Sequence, residues 1–133
     1  MTLNKRVCGI LIGHGEFPKV ILTTVEQFIG KQDDIEIVSN NNCSAVELKN
    51  RLNSAIEKFH GKDVIIFVDL QGGSCDTISR QVLSQTKEQK LGIICGVNVA
   101  TLIKYFQYRD RYEFKELLEL LSESGKKDIT TIA

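Results

Sequence analysis

An open α/β sandwich around a mainly parallel central sheet is predicted by three features of this 133-residue sequence. Short apolar runs, Val7-Cys8-Gly9-Ile10-Leu11-Ile12, Val64-Ile65-Ile66-Phe67-Val68 and Leu91-Gly92-Ile93-Ile94-Cys95, alternate with longer stretches whose apolar residues recur at helical spacing. The first two runs are apolar at successive positions, as a central parallel strand must be when helices cover both faces. Each then opens into a glycine-containing turn, Gly13-His14-Gly15 or Gly72-Gly73-Ser74, so polar groups are expected at the carboxyl edge of the sheet. No linker or repeat interrupts the pattern, and residues 1–133 are read as one domain, long enough to bury a core.

The elements follow in order. Residues 5–12 are the first strand. Pro18 fits the first turn of a helix over residues 17–29, with Val20, Ile21, Thr24, Val25 and Phe28 as its apolar stripe and Gly30 as its end. Residues 34–38 alternate as an edge strand does, and a polar loop leads to Ser44. Ser44 and Glu47 match a capping box for a helix carrying Val46, Leu48, Leu52, Ala55, Ile56 and Phe59 up to Gly61. A helix over residues 76–88 is suggested by Ile78, Val82 and Leu83, against the weak propensity of Ser79, Ser84 and Thr86. Asn98 can cap a helix containing Val99, Leu102, Ile103 and Phe106. Phe114, Leu117, Leu118 and Leu121 mark a last helix over residues 113–122, closed by Gly125. The tail, Ile129-Thr130-Thr131-Ile132, reads as a strand too short to stand alone, which must join a sheet edge in this subunit or in a neighbour.

Seventeen basic residues balance seventeen acidic ones, which argues against nucleic acid or an anionic membrane as partner. No stretch approaches the roughly 18 apolar residues that span a bilayer, and residues 1–6 lack the pattern of a leader, so a cytoplasmic protein is expected. Cys8, Cys43, Cys75 and Cys95 are widely spaced, with no CxxC pair, and are read as free thiols.

His14 is the first side chain past the first strand, and Asp69 lies at the corresponding end of the second buried run. Alone, a glycine-flanked histidine is an ordinary loop residue. Beside Asp69 it gains a role, because a carboxylate that accepts the Nδ1 proton fixes the tautomer and leaves Nε2 as the nucleophile, which suits phosphoryl acceptance. Gly72, Gly73 and Ser74 precede a helix start and offer amides and a hydroxyl to an oxyanion, although the same residues also make a plain turn and N-cap. No arginine or lysine adjoins either loop, so such a site depends on amide dipoles and on charges brought by a partner. Neither a GxxxxGK[ST] loop nor GxGxxG spacing is present, and a nucleophile elbow for a Ser74 hydrolase is missing. Zinc on His14, Asp69 and Cys75 lacks an identifiable fourth ligand, so no metal is expected; His60, at the polar end of a helix, is read as a surface residue.

Taken together, Gly13-His14-Gly15, Val68-Asp69-Leu70-Gln71-Gly72-Gly73-Ser74 and Gly96-Val97-Asn98, in this order at the ends of successive strands, resemble the IIA component of the mannose-type bacterial sugar phosphotransferase systems over essentially the whole chain. The resemblance implies that His14 accepts a phosphoryl group on Nε2 from the histidine-containing carrier protein and passes it to IIB, which serves the membrane components IIC and IID. It also implies that Asp69 orients His14, that Gly15, Gly72, Gly73, Ser74 and Asn98 line the phosphoryl site, and that the protein is a homodimer with its C-terminal strand exchanged between subunits. No cofactor is expected, and Mg²⁺ is not, since the donor is a phosphoprotein. Two departures bear on partner recognition: Cys75 stands where the family usually has proline, and Val99-Ala100-Thr101 where it usually has leucine-proline-methionine. A phosphoryl-carrying subunit of a dihydroxyacetone kinase system, or a regulatory phosphoprotein without onward transfer, are the alternatives.

Overall fold

The structure, a computed structural model, describes residues 5–133; the segment read above for a leader lies mostly outside them. Four strands, β1 (Cys8–Gly13), β2 (Ile35–Ser39), β3 (Val64–Val68) and β4 (Leu91–Cys95), form one sheet in the order β2-β1-β3-β4. All three pairings are parallel. Five helices connect and cover them: α1 (Phe17–Ile29), α2 (Ala45–Glu57), α3 (Ser74–Gln85), α4 (Val99–Tyr108) and α5 (Phe114–Lys127).

Alternation along the central strands sorts the core into two layers. Cys8, Ile10 and Ile12 of β1, with Ile66 and Val68 of β3, pack on Leu48, Leu52 and Ile56 of α2 and on Cys75, Ile78 and Val82 of α3. On the opposite face Leu11, Ile65 and Phe67 meet Ile21 and Val25 of α1, Leu102 and Tyr105 of α4, and Leu117 and Leu121 of α5. Gly9 has no side chain because Tyr105 occupies its space: a Cβ there would stand 2.9 Å from the phenol oxygen. That hydroxyl donates to the Val7 carbonyl at 2.7 Å, so the buried ring is both packed and satisfied.

The capping box at Ser44 forms in both directions, and Asn98 caps α4 by accepting from the Thr101 amide. Several expectations are corrected. Val20 and Phe28 on α1 are exposed, because its buried stripe runs through Pro18, Ile21, Leu22 and Val25 instead, and Val46 on α2 is exposed because that helix buries Leu48, Leu52, Ala55 and Ile56. The third helix spans Ser74–Gln85 rather than 76–88, with Gly73 at its N-cap and Ser74 as its first residue. Gly125 does not end α5. The helix runs through it because it packs closely on α4, where a Cβ would meet Thr101 Oγ1 at 2.5 Å. The tail therefore begins only after Lys127, and residues 129–133 add no strand to this chain's own sheet, with Ile129 and Ile132 exposed. All four cysteines are free thiols, and His60 is exposed.

Candidate functional site

The order β2-β1-β3-β4 reverses direction at β1 and β3, and in a parallel sheet the loops leaving two such neighbours diverge and open a crevice. His14 leaves β1 and Asp69 leaves β3 at that place. Asp69 Oδ2 accepts from the His14 backbone amide at 2.9 Å and lies 2.8 Å from His14 Nδ1, while Oδ1 accepts from the Leu70 amide at 2.9 Å. One carboxylate thus holds both the loop and the ring. The close approach explains Gly13, where a Cβ would sit 3.2 Å from the Asp69 carboxyl group.

With its proton held at Nδ1, the imidazole presents an Nε2 lone pair, and the Ser74 hydroxyl lies 3.3 Å from it. The His14 side chain is 48% exposed and that of Asp69 only 13%, so the ring is open to an incoming group while its anchor is shielded. Helix α3 begins here without a side-chain cap, which leaves its first amides and positive dipole end facing the site. A Cβ on Gly73 would touch His14 Cε1 at 3.4 Å, so this glycine lets the helix start lie against the ring. Cys75 is fully buried beneath it, its sulfur 3.8 Å from Nδ1. Burial, reinforced by the Asp69 carboxylate, pushes the Cys75 thiol up to about 11.

The two other amides expected to line the site are committed elsewhere. The Gly15 amide donates to Asn40 Oδ1 at 3.1 Å, and the Gly15 carbonyl accepts from Ser39 Oγ at 2.7 Å, so these two residues shape the histidine loop. The Gly72 amide donates to Asp76 Oδ2 at 2.8 Å. Asn98 spends its side chain on the Thr101 amide and hydroxyl and on the Gly125 carbonyl, which ties α4 to α5.

Asp76 was not visible in the sequence as a structural centre. It is buried, and its second oxygen accepts from Arg80 Nε at 2.8 Å and from the Cys95 thiol at 3.1 Å. Burial alone lifts its carboxyl, but the Gly72 amide, Cys95 and Arg80 together outweigh that and hold it below its ordinary value of 3.8. Its stabilisation is therefore present above pH 3.8 and is lost as pH falls through the lower folded value. Asp76→Asn is expected to lower stability by about 1–3 kcal/mol at pH 7, with the deficit shrinking below pH 3.8, as urea unfolding across pH will show.

The family model for EIIA-man, described as the PTS system fructose IIA component, matches residues 9–122. The chain belongs to the EIIA-man family. Solved structures agree in fold. The EIIA phosphotransferase component of Streptococcus agalactiae superposes with a TM-score of 0.88 at 21% identity, covering 94% of this chain and 96% of that one. The mannose/sorbose-specific IIA subunit of Enterococcus faecalis gives 0.83 at 20% identity over 97% and 96%. The IIA protein associated with the fucose utilisation operon of Streptococcus pneumoniae gives 0.81 at 18% identity over 98% and 96%. The EIIA-man fold and family are those of a phosphotransferase-system phosphocarrier and accord with phosphohistidine chemistry in sugar uptake. Among the described residues, no helix is long and apolar enough to cross a membrane.

Proposed function

We propose that His14 is the phosphoryl-carrying residue of a IIA component, accepting on Nε2 from the histidine-containing carrier protein and donating to IIB, which works with the membrane components IIC and IID. The observation that carries this reading is the 2.8 Å contact between Asp69 Oδ2 and Nδ1, which leaves Nε2 at the open side of the ring. In the acceptance step the Nε2 lone pair forms a bond to phosphorus as the donor's N–P bond breaks in line with it. The imidazole gains positive charge and keeps its Nδ1 proton, and the adjacent carboxylate stabilises that charge. In this reading Ser74 Oγ, 3.3 Å from Nε2, and the first amides of α3 receive the equatorial oxygens, with Gly73 giving them access. The Gly15 and Gly72 amides already have protein partners and hold the shape of the two loops, while the Asn98 side chain joins α4 to α5. The tail, exposed in a single chain, is read as the segment that a second copy covers in a homodimer with exchanged strands.

The test is transfer. Protein labelled from phosphoenolpyruvate through enzyme I and the carrier protein is mixed with its IIB, and the label is expected to leave this chain and appear on IIB. Label that stays put would favour a regulatory phosphoprotein, and label accepted only by a dihydroxyacetone kinase partner would move the chain to that system.

A further inference from the structure

We propose that His14, Asp69 and Cys75 together form a site for a thiophilic divalent cation of the zinc class, which takes the place of the proton at His14 Nδ1 and thereby blocks phosphoryl acceptance. The binding itself stands on geometry; only the block rests on the phosphocarrier reading. One donor atom from each of the three residues lies within 4.8 Å of the other two. Asp69 Oδ2 and Cys75 Sγ both approach the same ring nitrogen, at 2.8 and 3.8 Å.

In a tetrahedral zinc site the bonds to nitrogen, oxygen and sulfur are about 2.0, 2.1 and 2.3 Å, which sets neighbouring ligand atoms about 3.3–3.7 Å apart. The nitrogen–sulfur pair is close to that spacing already. The nitrogen–oxygen pair must open by about half an ångström and the oxygen–sulfur pair, the widest at up to 4.8 Å, must close by about 1 Å, so the carboxylate and the thiol both turn toward the ion. The Leu70 and His14 amides that now donate to Asp69 would remain as the outer hydrogen bonds that orient a metal-bound carboxylate. Three protein ligands leave the fourth tetrahedral position for a water that enters with the ion, as in open zinc sites. One imidazole, one thiol and one carboxylate select zinc-class ions over magnesium or calcium, which prefer oxygen alone.

The exchange balances without redox change. The Nδ1 proton moves to Nε2 as the nitrogen–metal bond forms, the Cys75 thiol releases one proton to solvent as the sulfur–metal bond forms, and the thiolate and carboxylate neutralise the two positive charges. Nε2 then carries hydrogen and has no lone pair for phosphorus. Metal and phosphoryl group are mutually exclusive on one ring.

Chelator-stripped protein is titrated with Co²⁺ as a spectroscopic probe, with Zn²⁺ as competitor. The expected result is one Co²⁺ per chain, a sulfur-to-cobalt charge-transfer band in the near ultraviolet, and loss of that band on adding Zn²⁺. Cys75→Ser should abolish the band and weaken Zn²⁺ binding by more than the ~10–100-fold that loss of an outer-shell partner costs. Since Cys75 is fully buried, the melting transition of that variant is compared with the parent's, and a second arm uses the unaltered protein. Zinc-loaded protein should fail to gain about 80 Da from preformed phosphorylated carrier and regain the ability on chelation. Absence of Co²⁺ binding, or a thiolate band that survives in Cys75→Ser, overturns the site, and normal labelling of the zinc-loaded protein overturns the block. Unlabelled metal-free protein counts against the phosphocarrier reading instead, with the cobalt spectrum still deciding the site.

Discussion

Replacing His14 by alanine is expected to remove the whole acid-labile gain of about 80 Da that the parent protein acquires from phosphoenolpyruvate, enzyme I and the carrier protein. The ring is half exposed and packs no core, so the urea midpoint should correspond to a loss within about 0.5 kcal/mol. Intact-mass spectra of both proteins check the first expectation and unfolding curves the second. His60, the other histidine, lies exposed beside Glu57 at the far end of α2, so residual label in the His14→Ala protein would put the acceptor somewhere other than the described site.

Asp69→Asn has the next largest expected effect. An asparagine keeps the shape, yet its amide group can donate to Nδ1, which moves the ring proton to Nε2 and consumes the lone pair needed for attack. It also removes the negative charge beside the developing imidazolium. A fall of about 10²–10⁴-fold in the rate of labelling is expected, the upper end being the loss that follows when the orienting carboxylate of a catalytic histidine becomes an amide. Rapid-quench labelling measures it. A change smaller than about threefold, with folding intact, would mean that Asp69 holds the loop and takes no part in transfer.

The positions of His14 and Asp69 were legible because two fully apolar strands each end at a glycine-containing turn, and parallel strands place such ends on one edge. The capping box at Ser44 and the cap at Asn98 were legible as short local patterns. What escaped the sequence was where backbone groups already had partners. Asn40 claims the Gly15 amide across 25 positions, and Asp76 the Gly72 amide across four, outside the capping-box spacing of three. The course of α5 through Gly125 was likewise hidden, since it follows from packing on Thr101 rather than from local propensity. The contact of Cys75 with His14 spans 61 positions and depends on how α3 is set against the first loop.

The commitment of the Gly15 and Gly72 amides has a thermodynamic side. A carrier must release what it accepts, and a cradle that gripped the phosphoryl group with every nearby donor would turn a high transfer potential into a trap. In the proposed reaction, donors spent on Asn40 and Asp76 leave the phosphorylated state only loosely held, so its group-transfer energy stays close to that of the donor and acceptor on either side. In that reaction the Gly15 and Gly72 amides keep the same partners before and after transfer, so none of these contacts has to be broken or remade in either direction of the exchange.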